Sequence, residues 1–456
     1  MSVLCIAWQI FDLIFLKLIV WSMQKILIIT YYWPPSGGAG VQRWVKLVKY
    51  LSVQNIEIHV LTVDQQYASY SMTDHSIISD IPDNIHIHKT KSFEPINIYG
   101  KIVGKNKIPI AGFSNVDNFS LKQKTVNFLR SNLFIPDPRK FWNYFAIKKA
   151  KELILKNGIE VVITSSPPHS TQLIGRKLKK LLKVKWIADL RDPWTDIYYY
   201  PLLYHSKLSK KIDRYYEKKT LESSDAIITV SESLKELFLQ KLQDLPKDKF
   251  TIIPNGFDEA DFEPAKIIKD FDKFVINYTG SMSLEYHPES FLSVLNGLVE
   301  TGLFNDFQMN FIGNIHQNIK DSIIQSKLNE YTSFIPGVPH NEIIHYQLNC
   351  HVLLLIIPET KHAEGILTGK LFEYLASGNK IICIGPKHGD AAKIISSCNA
   401  GCTLERNEKG KMKEFLCSQY QIYKKNQWVR QVNPEVFKYS RKNQADQLMK
   451  LLQNIH

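Results

Sequence analysis

The sequence predicts an α/β protein made of two successive parallel-sheet domains. Three observations carry this. Short apolar runs of strand length alternate with helix-period stretches along almost the whole chain, the pattern of strand–helix–strand crossovers. The series pauses in a polar, aperiodic stretch at 261–273 and then starts afresh. At 456 residues the chain is too long for one ordinary domain.

Taken in order, residues 25–30 form a first apolar strand. A glycine-rich turn follows, Pro34-Pro-Ser-Gly-Gly-Ala-Gly40, and then a helix pattern over 41–52. The next strand is 57–63. Residues 64–140 are less regular, and a long insertion of this kind is often functional. A helix at 142–157 leads to strand 159–164, and helix 170–182 leads to strand 185–190. A basic helix at 206–223 precedes strand 226–230, and helix 232–242 precedes strand 250–253. After the polar stretch come strand 274–279, helix 288–299, strand 307–312, a short strand and turn at 331–339, and helix 341–348. An apolar run at 351–357, a glycine-rich turn, a short helix pattern and a second run at 380–384 complete a strand–loop–helix–strand unit. The tail, 434–455, reads as one helix. The expected division is an apolar leader at 1–22, a first domain at 23–262, a second at 263–433 and a returning helix at 434–456.

Composition narrows the classes. Hydrophobic residues at 44% and charged residues at 22% are those of a globular protein. The net charge of +13 has two readings, solvated helix faces or contact with an anionic lipid surface. Nucleic acid is not expected as a partner, because no zinc-knuckle, helix-turn-helix or aromatic RNA-binding pattern is present. The six cysteines contain no Cys-x-x-Cys pair, which points to a reducing, cytoplasmic setting and no structural metal. The apolar leader carries Asp12 and Lys17 and lacks a basic start and a small-residue cleavage site. Two readings of it stand: translation from an upstream start codon, or a membrane-associating helix.

The unit around residues 364–378, Glu-Gly-Ile-Leu-Thr-Gly-Lys-Leu-Phe-Glu-Tyr-Leu-Ala-Ser-Gly, is the most informative. Lys370 and Glu373 are three apart on the predicted helix and share a face. A cation beside helix-start N–H groups suits a diphosphate, and a carboxylate one turn on suits ribose hydroxyls. The stretch is not a P-loop. It is one residue short, and Leu371 stands where a magnesium-binding Ser or Thr is required. Gly37 and Gly38, between the first strand and its helix, form either a structural turn or a phosphate-facing loop. At strand C-termini of the first domain, where α/β folds build sites, lie His169, Asp189, Arg191 and Asp192. Asp189 and Arg191 also have a plain alternative, that they pair with each other; Asp192 has another, capping a turn.

Several motifs in order then resemble a known family: Tyr32-x-Pro-Pro-x-Gly-Gly38, Pro254-Asn-Gly-Phe-Asp258, Tyr278-Thr-Gly-Ser281, Gly337-Val-Pro339 and the Gly369–Gly378 stretch. From Met23 onward the chain resembles a GT-B glycosyltransferase of the retaining family 4 type. The resemblance implies two Rossmann-like domains facing each other across a cleft, with a nucleotide-sugar donor on the second and a glycan or lipid-linked acceptor on the first. It implies a retaining transfer that requires no metal, and no cofactor is expected because the nucleotide-sugar is a substrate. The net positive charge, the basic helix 206–223 and the irregular region 64–140 point to polysaccharide or glycolipid synthesis at the inner face of the cell membrane. Glu373 matches the second glutamate of the family's Glu-x7-Glu motif, which binds the donor ribose. Gly365 falls where the first belongs, and the substitutes are Glu364 beside it or backbone N–H groups. Gly280, Ser281 and Gly369 offer N–H groups to the diphosphate, and Val338 lies against the base. The basic residues the family places after the second domain's first strand are absent, which leaves Lys370 as the cation. Arg191 stands where the family often has a histidine, so His169 becomes the histidine that reaches the acceptor. The alternatives are a sugar-nucleotide epimerase on the same plan, and a basic lipid- or nucleic-acid-binding protein without catalysis.

Overall fold

The computed structural model describes residues 23–70, 72–94, 128–262 and 271–455. The leader at 1–22, residues 95–127 of the irregular region and 263–270 of the polar stretch lie outside the described residues.

The first sheet has seven strands: β1 (Gln24–Ile29), β2 (Ile56–Val63), β3 (His86–Thr90), β4 (Val161–Ser166), β5 (Lys185–Leu190), β6 (Ala226–Thr229) and β7 (Phe250–Ile252). Their spatial order is β3-β2-β1-β4-β5-β6-β7, every pair parallel. Helices α1 (Ala39–Leu51), α2 (Trp142–Asn157), α3 (Ser170–Leu182), α4 (Lys207–Ser223) and α5 (Glu232–Lys241) cross over between them. The second sheet has six strands: β8 (Phe274–Thr279), β9 (Phe307–Ile312), β10 (Thr332–Ile335), β11 (Val352–Ile356), β12 (Lys380–Ile384) and β13 (Gly401–Leu404). Its order is β10-β9-β8-β11-β12-β13, again all parallel. Its helices are α6 (Glu289–Glu300), α7 (Gln317–Ile324), α8 (His340–Leu348), α9 (Gly369–Ser377), α10 (Asp390–Ser397) and α11 (Lys409–Lys424).

Parallel strands are covered on both faces, so they read as continuous apolar runs rather than alternating ones. Ile26, Leu27, Ile28 and Ile29 of β1 are all fully buried. Ile26 and Ile28 join one cluster, and Leu27 and Ile29 the cluster on the opposite face. Each such side chain contributes about 1.5–3 kcal/mol on burial.

The tail corrects the expectation of one continuous helix. A short 3₁₀ turn, Pro434–Tyr439, is followed by α12 (Arg441–Asn454), and Ser440 between them is extended at φ −66°, ψ 147°. The Ser440 hydroxyl accepts from Asn443 N, so this residue starts a new helix instead of continuing the old turn. Ala445, Leu448 and Leu452 of α12 bury against Trp44 and Val48 of α1 in the first domain.

All strands of a parallel sheet end on the same side, and the loops there build sites. In this protein the two sets of loops meet. Ser231 Oγ donates to Gly365 O at 3.1 Å, Ser233 N donates to Asp390 Oδ2 at 2.9 Å, and Asn255 Nδ2 donates to Leu367 O at 3.4 Å. Where the chain leaves the first domain, Asp258 is buried and accepts from Lys46 Nζ and Lys49 Nζ, each at 2.8 Å, and from Tyr50. Burial works against its ionised form, but these donors outweigh it and hold the carboxyl far below the usual range. The crossing is thereby clamped to α1.

Candidate active site

Two helix starts face each other across the cleft. A Cβ on Gly369, the first residue of α9, would lie 3.9 Å from Ala39 Cβ, at the first residue of α1. Neither helix has a side-chain cap or an acidic residue in its first turn. Their free N–H groups and positive dipole ends make both starts suitable for an anion.

On α9, Lys370 Nζ reaches down the cleft. It donates to Tyr278 Oη at 2.8 Å and lies 4.0 Å from the centre of that ring. Tyr278 in turn donates to Ser281 O at 2.7 Å. Gly280 has φ +98°, and a Cβ there would lie 3.0 Å from Lys370 Nζ, so the bare backbone makes room for the ammonium. Burial pushes the Lys370 pKa down to about 7, only partly opposed by the charge of Glu373. No carboxylate of the described residues forms an ion pair with it. An ammonium kept so poorly compensated is poised for an anionic ligand.

Glu373, one turn on, is held by both oxygens. His340 Nε2 lies 3.0 Å from Oε1, and Gln347 Nε2 donates to Oε2 at 2.8 Å. Burial raises its pKa, but the hydrogen bond and charge of His340 prevail and the carboxyl sits below its ordinary value. His340 is the counterpart: burial lowers its pKa, while Glu373 and then Asp261, 3.9 Å away, raise it overall. Gln347 also donates to Thr279 Oγ1 at 3.2 Å, which ties the carboxylate to the end of β8. Each carboxylate oxygen keeps a further lone pair for a hydroxyl. A hollow of about 310 Å³, lined in part by Lys46, Asp80, Asp261 and His340, opens beside this group between the domains.

The sequence reading missed His340, Gln347 and Tyr278. His340 directly follows the quoted Gly337-Val-Pro339, and Tyr278 was inside a quoted motif. Gln347 is a buried polar residue on a helix and carries no local signal of its partner. Val338 is half-buried in the loop between β10 and α8, and Ser281 is exposed at the mouth.

Gly365 needs a correction as a donor contact. Its carbonyl is taken by Ser231, and a Cβ there would lie 3.1 Å from Ser233 Cβ. The position where a glutamate was expected is an interdomain contact with the start of α5. Glu364 is exposed, with its backbone against Gly389. Gly365→Glu is therefore expected to disturb the closed arrangement, at about 1–3 kcal/mol for overpacking. The expected readout is a loss of kcat/KM on the order of tenfold. A gain in activity would show that the family glutamate fits here after all.

On the first domain the four strand-end residues part ways. Asp189 is corrected: its carboxylate is fully buried and structural. It accepts from Ser165 Oγ at 2.7 Å and Trp44 Nε1 at 3.0 Å, and pairs with Arg43 Nη2 at 3.3 Å. The alternative, a pairing of Asp189 with Arg191, also gives way to this one. Arg191 instead lies along the first turn of α1, its Nε donating to Ser166 O at 3.0 Å. A Cβ on Gly40 would come within 2.4 Å of its guanidinium, so only glycine leaves that place open. His169 stacks on Trp194 with ring centres 4.7 Å apart. Burial, then Arg191 and Lys241, push its pKa down to about 3, so it is neutral at pH 7. Burial raises the Asp192 pKa, against the pull of Arg191. Gly37 N donates to Met72 O at 3.1 Å, which makes Gly37 part of the turn, while Gly38 has φ +104° at the start of α1.

Two all-parallel sheets with opposed helix starts across a cleft are the fold plan of the GT-B glycosyltransferases. Residues 113–261 match the family described as Glycosyltransferase Family 4. Among solved structures, a glycosyltransferase from Rickettsia africae ESF-5 superposes with TM-score 0.60 at 14% identity, covering 95% of this chain and 99% of that one. S. aureus TarM, in complex with Fondaparinux, alpha-GlcNAc-glycerol and UDP, gives 0.59 at 11% identity over 95% and 100%. A UDP-N-acetylglucosamine 2-epimerase from Listeria monocytogenes, described as putative in its own structure, gives 0.53 at 10% over 95% and 96%. At these identities the likeness is one of fold. A search of curated proteins finds no match.

Proposed function

We propose that this glycosyltransferase moves a sugar from a nucleotide-sugar donor to an acceptor hydroxyl, with retention at the anomeric carbon and without a metal ion. The observation that carries the reading is the placement of Lys370 and Glu373 on α9, at a helix start that faces the first domain. Lys370 and the N–H groups at Gly369, Gly280 and Ser281 stabilise the departing diphosphate. Glu373, fixed by His340 and Gln347, receives the ribose hydroxyls. The neutral His169, Arg191 and Asp192 line the acceptor side. A donor phosphate oxygen accepts the proton of the attacking hydroxyl. Neighbours named for lipopolysaccharide biosynthesis and for TarM's glycan-type ligands support a cell-surface polysaccharide or glycolipid as the product.

The test is turnover with a panel of sugar nucleotides, following nucleoside diphosphate release and the transferred sugar. Glu373→Ala is expected to lose most of this activity; wild-type turnover with every donor would overturn the reading. Isomerisation of the sugar in the absence of any acceptor would favour an epimerase instead.

We further propose peripheral contact with an anionic membrane. The support is the net charge of +13 and the basic α4, on which Leu208 is 67% exposed. No helix of the described residues is long and apolar enough to cross a membrane. Flotation with anionic liposomes should persist when residues 1–22 are removed; loss of all binding would place the affinity in the leader.

Donor binding has a pH signature. In the free protein burial pushes the Lys370 pKa down to about 7, and a diphosphate beside it restores the charged form. The complex therefore holds more protons than the free protein above that pH. Lys370 takes up a proton when the donor binds, and donor affinity falls as pH rises, by up to about tenfold per unit. Calorimetry in two buffers of different ionisation enthalpy at pH 8 checks this. Wild type is expected to take up nearly one proton and Lys370→Met none.

A further inference from the structure

Histidines gather on one face of the first sheet, at the edge away from the cleft. β2 carries Glu57 and His59, and the edge strand β3 carries His86 and His88. The parallel register sets His59 against His86 and Leu61 against His88. Side chains two apart share a face, so all four polar groups stand on the same side. His59 is buried; its Nε2 lies 2.8 Å from Glu57 Oε1 and its Nδ1 lies 3.0 Å from His88 Nε2. The His86 ring is exposed, with its centre 4.7 Å from that of His59. The ligand atoms of Glu57, His59 and His86 all fall within 4.8 Å of one another.

We propose that Glu57, His59 and His86 form a site for a divalent cation of the zinc class, with His88 orienting His59. Two imidazoles and a carboxylate are a donor set that zinc takes, with a water completing the tetrahedron. The cation takes the place of the proton now shared between His59 Nε2 and Glu57 Oε1, 2.8 Å apart, and the pair has only to open by about half an ångström to reach the spacing of two zinc ligands. His59 then carries its proton on Nδ1 and donates it to His88 Nε2, while His88 moves its own proton to Nδ1 through solvent. A metal-bound histidine typically donates its second N–H in this way, and the partner fixes the ring. Glu57 Oε2 stays with Lys25, 3.1 Å away, which leaves Oε1 for the metal. Only His86 has to move inward, and its exposure leaves it free to rotate. The cation ties β3 to β2 across the sheet edge. Glu57, His59 and His86 sit toward the strand starts, whereas the cleft is built at the strand ends, so the site is separate from sugar transfer.

The test uses the full chain without an affinity tag, with Zn²⁺ or Co²⁺ alone as ligand. Calorimetry should show one site of micromolar or tighter affinity, and Co²⁺ should give tetrahedral visible absorption. His86→Ala and Glu57→Gln, at positions exposed enough to leave folding intact, should each weaken binding at least tenfold. Zn²⁺ should raise the unfolding temperature of wild type and not that of His86→Ala, while transferase turnover of His86→Ala matches wild type. Absence of binding at micromolar Zn²⁺, or equal affinity in both variants, would overturn the proposal.

Discussion

Replacing Lys370 by methionine is expected to lower kcat by about 10²–10³-fold, the usual loss when one preorganised donor to a developing charge is removed. The ammonium has Tyr278 beneath it and no carboxylate paired with it among the described residues. Burial has already pushed its pKa down to about 7. A group in that position is held at a cost to the free protein, so the same substitution should leave the unfolding temperature unchanged or raise it. The two measurements together separate function from structure. Unaltered kcat in a folded Lys370→Met protein would remove Lys370 from the chemistry. A parallel fall in kcat and stability would recast it as a packing residue.

Asp189→Ala should do the reverse. The substitution leaves Arg43 charged and fully buried with no counterion, and takes the acceptor from Trp44 Nε1 and Ser165 Oγ. Breaking a buried ion pair from one side costs about 3–5 kcal/mol. Since a domain is typically stable by about 5–15 kcal/mol, the loss should be plain in urea denaturation. Asp189→Asn keeps an acceptor of the same shape and should lose less. Any fall in turnover should follow the fraction folded. If Asp189→Ala were as stable as wild type but inactive, the carboxylate would belong to the reaction after all.

These two residues also mark how far the sequence reaches. The α/β alternation, the polar pause at 261–273 and the restart after it are local properties, because hydrophobic periodicity is written into consecutive residues. Lys370 and Glu373 were legible for the same reason: their spacing on one helix turn determines that they share a face. Asp189 looked equally suited to a site by its place at a strand end. Its partners Arg43 and Trp44 come from a helix more than a hundred residues earlier, and nothing near Asp189 announces them.

The same limit explains what was missed. His340 and Gln347 meet Glu373 only because α8 packs beside α9, and Gly365 meets Ser233 only because the domains close. The tail helix breaks at Ser440 because capping won over continuation, a choice that propensity alone leaves open. The His59–His86 group depends on the register of two strands, which pairs residues far apart in the chain. By itself, the sequence determined the two-domain α/β plan and the chemistry of one helix start. The tertiary structure decided which charges are paired and buried and which stay poised for a ligand. Solvation and pairing energies depend on neighbours in space, and neighbours in space are settled by packing.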